Sequence, residues 1–221
     1  MKKVSSFIPY LTVSIFHFVN QFHFLSWELV HSDMPTLLIA GQDIGRGAIP
    51  FESQFEPKGP LLYYFYYFLI TLSNSRLEFF KILNTLLILL IAFVIIKISK
   101  IYNENNLMHI TYSGIFILLM SAKGLGQSGY SEIYALFFLS ISIYFYLLIN
   151  SNRQTYFFTG FFLSLAFLVH PGAGIFLIPI SILYIWRKSF DGFIYNSVGF
   201  TIPILFISLF YFIKGKFQLL F

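Results

Sequence analysis

The sequence predicts an all-α polytopic transmembrane helix bundle of about seven spans, with a large first outer loop containing amphipathic juxtamembrane helices. Three observations carry this expectation. Hydrophobic residues make up 57 % of the 221 and charged residues only 10 %, against about 45–50 % and about 25 % in an average soluble domain. The mean hydropathy is +0.77, which excludes a disordered chain and calls for lipid as solvent. Apolar runs recur at close to the ~20 residues that cross a hydrocarbon core. Basic residues stand singly or in pairs between these runs, where they orient spans. The net charge of +5 is therefore topogenic, since no basic stripe of the kind that binds nucleic acid is present. The absence of cysteine excludes a disulfide framework and a thiolate metal site.

Met1-Lys2-Lys3 precedes an apolar run over residues 4–25. No small-x-small cleavage site follows, so the run is expected to be an uncleaved first span with a cytoplasmic N-terminus. His17, Asn20, Gln21 and His23 are expected at its interfacial end; the alternative is that they line a polar cavity. Residues 26–76 form the outer loop. Glu28, Asp33, Asp43, Glu52 and Glu56 gather there, five of the nine acidic residues, and long connections of this kind usually carry function.

Within that loop, Ser32-Asp33-Met34-Pro35 heads an apolar pattern at Leu37, Leu38, Ile39, Ala40 and Ile44, and Gly45 and Gly47 end it. Capping residues in front, Pro in the first turn and Gly behind predict a short amphipathic helix on the outer surface. Residues 60–72 are apolar, but 13 residues of helix rise only ~20 Å. Tyr63, Tyr64, Tyr66 and Tyr67 favour the membrane interface. This segment is expected to be a juxtamembrane or re-entrant helix that does not cross.

The remaining spans are expected at 77–98, 107–122, 131–149, 156–169, 172–186 and 193–213. With 60–72 on the outer side, Lys97, Lys100, Arg153, Arg187 and Lys188 lie in cytoplasmic loops. Arg46, Lys58, Arg76 and Lys123 lie outside. The opposite parity puts the clusters Lys97/Lys100 and Arg187/Lys188 outside, against the positive-inside rule. Lys214 and Lys216 in the tail weigh weakly the other way. Gly114, Gly160, Gly172, Gly174, Pro179, Gly199 and Pro203 fall inside spans and mark close packing or kinks.

Four places with the residue types for chemistry share the outer side. Asp33 is either a helix N-cap or a carboxylate at the membrane boundary that takes a proton from a substrate hydroxyl. Lys58, between Pro57 and Pro60, is either a snorkelling anchor or a cation for a lipid-linked phosphate. Glu132 either complements its helix dipole or joins Asp33; Gly124 and Gly126 before it permit a phosphate nest, though a lone Gly-x-Gly is a weak signal. His170, before Pro171-Gly172, is either structural or a second group that neutralises a leaving phosphate.

The order of these residues resembles a known family. An Asp after the first span (Asp33), a helix ending in Gly45-Arg46-Gly47-Ala48-Ile49-Pro50, and then Lys58-Gly59-Pro60-Leu61-Leu62-Tyr63-Tyr64 resemble the GT-C membrane glycosyltransferases. The nearest groups are the protein O-mannosyltransferases, the lipid A aminoarabinose transferases and the bacterial lipopolysaccharide glycosyltransferases. Their pattern is Asp-Glu, then Gly-x-x-Pro, then Lys-Pro-Pro-Leu-x-Tyr. Glu132 at a span start and the run from Gly160 to His170-Pro171 match later features. Met34 stands where the family has Glu, Gly59 replaces the middle Pro, and His170 replaces the usual Lys.

The resemblance implies an inverting glycosyltransferase in the plasma (inner) membrane, with a polyprenyl-phosphate-linked sugar donor, a hydroxyl acceptor and a site facing the periplasm or outside. It implies Asp33 as catalytic base, with Lys58, Glu56, Glu132, His170, Tyr63 and Arg46 binding substrate. No cofactor is implied with certainty. Asp33 and Glu132 are carboxylates of the kind that hold a divalent cation, but two are too few to define a site. The chain is expected to be one transmembrane core, 1–221, without the family's C-terminal module. The alternative is a truncated or non-catalytic polytopic protein that binds a lipid-linked carrier or assists assembly or transport; a purely structural membrane subunit is a third class. If Asp33 is the base, Asp33→Asn will lower transfer about 100-fold or more while the protein still inserts and folds. Full activity of that variant contradicts the assignment.

Overall fold

In the computed structural model, which describes residues 2–21, 33–52, 58–73, 77–102, 105–121, 131–148, 152–186 and 189–220, the apolar runs form helices and no strand occurs among the described residues. The helices are α1 (Lys2–Gln21), α2 (Asp33–Gly45), α3 (Pro60–Ser73), α4 (Leu77–Tyr102), α5 (Asn106–Met120), α6 (Ser131–Leu147), α7 (Arg153–Val169), α8 (Leu177–Trp186) and α9 (Phe190–Ile213). Polar residues between the runs start several of them. The Asn105 side chain accepts from the Leu107 N–H ahead of α5. Asn152 and Thr155 form a reciprocal capping box on α7, and Ser189 accepts from the Gly192 N–H on α9. Each satisfies backbone donors that a helix start leaves without partners.

Two segments, Glu78–Tyr102 with 25 residues and Phe190–Ile213 with 24, are long and apolar enough to cross a membrane; the other apolar helices are shorter. The expected run at 172–186 is interrupted. A 3-10 turn occupies Pro171–Phe176 and α8 begins only at Leu177. Pro at the start, with Gly172 and Gly174 behind it, lowers α-helix propensity and favours the tighter turn.

α1 packs on α4 and α5 through Val13, Ile88, Ala92, Ile96 and Ile117. His17, one turn after Val13, is fully buried: it shares the inward face of α1 with Val13. Asn20 donates to Ser121 Oγ at 2.6 Å, and His23 lies outside the described residues. α4, α6, α7 and α9 follow one another in contact, and α3 lies across α2, α4 and α7.

α7 and α9 approach most closely. A Cβ built on Gly160 would lie 1.9 Å from the Asn196 carbonyl oxygen, and one on Gly199 would lie 2.1 Å from that of Phe157. The two helices run parallel, with Arg153 beside Asp191 near their starts and Phe167 beside Phe200 further along, and each glycine admits the other's backbone, as small residues do where helices pack without a hydrophobic driving force. Gly114 differs: a Cβ there would meet nothing within 4 Å, so the close packing expected at that position is absent.

The helix ends sort by charge. At one end Lys97 lies over the Tyr144 ring and Lys100 over Tyr10, while Arg153 pairs with Asp191 at 3.8 Å and faces Tyr195. At the other end Asn20 meets Ser121, and acidic and basic groups mix. Gly160→Ala and Gly199→Ala should each destabilise the fold by about 1–3 kcal/mol through overpacking, seen as a lower midpoint of thermal unfolding in detergent. Gly114→Ala should leave the midpoint unchanged or slightly raised. Equal midpoints for all three variants contradict this packing.

Candidate functional site

The mixed-charge end is assembled around one backbone contact. Pro60 opens α3, where its missing N–H costs nothing. The N–H of the preceding Gly59 donates to the carbonyl of Val169, the last residue of α7, at 2.9 Å. A Cβ on Gly59 would lie 1.9 Å from the Leu168 carbonyl oxygen. Glycine alone meets both demands, because alanine clashes and proline neither fits nor donates.

This contact fixes its covalent neighbours. Lys58 precedes Gly59 and His170 follows Val169, so docking the two backbones brings the two side chains to one place. Glu132 arrives from the first turn of α6, where a carboxylate suits the helix dipole. Its Oε1 lies 3.6 Å from Lys58 Nζ and 3.4 Å from His170 Nε2. The second contact is an ion pair only when His170 is protonated. The Lys58 side chain is 12 % exposed and that of Glu132 56 %. α6 is held below the cluster by Tyr134, whose hydroxyl donates to Asn84 Oδ1 on α4 at 2.9 Å. Partly exposed pairs contribute only about 0.2–1 kcal/mol, so the cluster is a consequence of the backbone docking, not its cause.

Beside Lys58 opens a groove of about 680 Å³, within the range of ligand pockets. Lys58 and Pro60 stand at one end, Phe167 and Leu168 of α7 and Ile178 of α8 form walls, and Ile204 of α9 closes the far side. Its lining is dominated by hydrocarbon, and Lys58 is the charged residue that contributes to it; Glu132 and His170 do not line it.

Two segments edge the groove. The first is the loop after α2. Phe51 there adopts φ 71°, which for a bulky residue costs about 1–3 kcal/mol and persists only when its surroundings enforce it. They do so here. Glu52 Oε2 accepts from the Ile49 N–H at 3.1 Å, the Glu52 N–H donates to the Ile49 carbonyl at 3.0 Å, and the Tyr211 hydroxyl donates to the Pro50 carbonyl at 3.3 Å. The second is the segment after α9, where Gly215 at φ 66° turns the chain. Lys216 Nζ then reaches Glu52 Oε1 at 2.8 Å. Hydrogen bonds from Lys216 and from the Ile49 N–H, with the Lys216 charge, hold the Glu52 carboxyl below the usual carboxylate range.

Of the residues singled out in the sequence, Lys58, Glu132 and His170 meet. Asp33 is the first residue of α2, and Glu56 lies outside the described residues. Arg46 does not join the cluster; 77 % exposed, it pairs with Asp43 of α2 at 3.5 Å. Tyr63, expected to bind substrate, is 1 % exposed and meets the Phe51 ring edge-on, because Leu62, Tyr63 and Tyr66 form the inward face of α3. Phe51, Glu52 and Lys216 were not anticipated. The Gly215 turn was the available signal for Lys216, and nothing local announced a strained Phe51. Among the described residues no three His, Asp or Glu side chains are grouped so as to hold a metal ion. No family model, no curated protein and no solved structure matches this chain.

Gly59→Ala should push α3 off α7. It should lower stability by about 1–3 kcal/mol and speed modification of Lys58 by an amine-reactive reagent, followed by mass spectrometry. Unchanged stability together with unchanged Lys58 labelling contradicts the docking account.

Proposed function

We propose that this chain is a membrane glycosyltransferase core of the GT-C type, which transfers a sugar from a polyprenyl-phosphate donor to a hydroxyl acceptor at the outer face of the plasma membrane. The observation that carries this reading is the apolar groove of about 680 Å³ with Lys58 at its lip and His170 beside it. An isoprenoid tail suits hydrocarbon walls, and a phosphate head suits a compact ammonium with three N–H donors.

The proposed arrangement is seven spans, formed by α1, α4, α5, α6, α7, the Pro171–Trp186 unit and α9, with α2 and α3 on the outer side. The distribution of charge at the helix ends supports it. Lys97, Lys100 and Arg153 share one end, which the positive-inside rule makes cytoplasmic. Lys216, which counted against this parity in the sequence, pairs with Glu52 of the loop assigned to the outside. The tail and that loop therefore share a side, as the seven-span arrangement requires.

In the proposed reaction Asp33 takes the proton of the acceptor hydroxyl. The oxygen attacks the anomeric carbon from the face opposite the phosphate, and the bond from that carbon to the phosphate oxygen breaks with inversion. The departing phosphate keeps the electron pair, and its charge is balanced by Lys58 and by His170 when protonated. Glu132 holds both cations in place before the donor arrives. The groove also suits a protein that binds a lipid-linked carrier without catalysis; Asp33→Asn separates the two, since it abolishes transfer and spares binding.

Capture of a photoreactive polyprenyl phosphate tests the site. Cross-links should fall on residues 167–178 and 200–208, and Lys58→Ala should lower capture about ten-fold, the effect of losing one charge-assisted contact. Equal capture by Lys58→Ala, or cross-links confined to other helices, would falsify the assignment.

A further inference from the structure

The apolar groove has a lip on each side, and each lip contributes one hydrophobic residue to its lining. Phe51 comes from the loop after α2, and Leu220 comes from the 3-10 turn at Phe217–Leu220. Neither lip belongs to a helix that walls the groove. The second is built to fold back: Gly215 takes the left-handed conformation, the Gly215 N–H donates to the Phe212 carbonyl and the Lys216 N–H to that of Tyr211, both at 2.9 Å. These bonds form the αL helix stop that reverses a chain. Phe217 then meets the Phe212 ring edge-on, and Leu220 reaches the groove. One ion pair among the described residues joins the lips, Lys216 Nζ to Glu52 Oε1 at 2.8 Å.

We propose that residues 214–220 form a strap that gates the groove, latched to the outer loop by the Lys216–Glu52 pair. Closed, the latch holds Leu220 and Phe51 at the mouth. The pair is partly exposed, with side chains 42 % and 36 % accessible, so it costs little to break and is screened by salt. Phe51 keeps its unfavourable backbone through Glu52, which holds the Ile49 N–H. Breaking the pair frees the strap from the outer loop, while the hydrogen bonds at Ile49 and Pro50 still hold Phe51. A latch of this kind admits an apolar ligand from the side and then covers it. The proposal rests on the groove being an entry site, not on which lipid enters or whether transfer follows.

The chain contains no cysteine, so one introduced thiol reports a single position. Ile207→Cys places the reporter in the groove wall, and Ile115→Cys places a control on the exposed face of α5, remote from the strap in sequence. The rate of N-ethylmaleimide labelling is measured without added lipid, so failure here leaves the transferase reading untouched. Glu52→Gln and Lys216→Gln should each raise labelling at position 207 roughly two- to five-fold, the population change that loss of one exposed ion pair permits. The exchange of Glu52→Lys with Lys216→Glu should bring it back toward the starting rate, and labelling at 115 should stay constant throughout. Equal rates at 207 in all backgrounds would overturn the proposal. So would a parallel rise at 115, which reports general loosening, or failure of the charge exchange to restore the slow rate.

Discussion

A single hydrogen bond without side chains organises the functional end of this protein. The Gly59 N–H meets the Val169 carbonyl, and the approach leaves no room for a Cβ. Because the chain is covalent, docking those backbones also fixes Lys58 beside His170, and Glu132 has only to rise from α6 between them. Charge attraction of this size, about 0.2–1 kcal/mol per partly exposed pair, would not assemble three flexible side chains from separate helices. Backbone docking does, and the ion pairs refine it. The Lys58 end of the groove is therefore as rigid as the junction of α3 with α7.

The same device recurs where α7 meets α9. Gly160 and Gly199 let two backbones touch, so α7 is held from both sides by contacts that tolerate no added carbon. A helix fixed in this way makes a dependable wall, and the groove runs along it. The opposite regime governs the two lips. Phe51 is held in an unfavourable backbone conformation by hydrogen bonds, and the segment after α9 is held through one ion pair. Close-packed walls with weakly latched edges suit a site that a bulky apolar ligand enters sideways and leaves again.

Much of the helical frame was legible in the sequence because runs of hydrophobic residues admit few alternatives. α2 starts at a capping residue, α3 at Pro60 and α6 where its apolar run begins, and Asn152 and Ser189 cap the helices they precede. The site was legible in part. Lys58, Glu132 and His170 stood out as charged or titratable groups at helix ends, but their meeting depends on a long-range backbone contact that no local pattern encodes. The burial of Tyr63 was not legible, because an interfacial preference says nothing about which face of α3 turns inward. The burial of His17 was hidden for a similar reason, since position along a helix does not give its rotation. The break at Pro171–Phe176 was written in Pro171, Gly172 and Gly174, yet the hydropathy of the run masked it. Phe51 left no trace, because its strain comes from partners at residues 49, 52 and 211.

The central claim is that Lys58, which helps to line the groove, meets Glu132 and His170 in one cluster. It is tested most directly by the distance from Lys58 Nζ to the Glu132 carboxyl carbon, measured by nitrogen–carbon dipolar recoupling in lipid bilayers on protein labelled at those residues. The account predicts a distance of about 4 Å, that of an ion pair in contact. A distance beyond about 6 Å, outside the range of direct pairing, would contradict it, and with it the role given to Gly59.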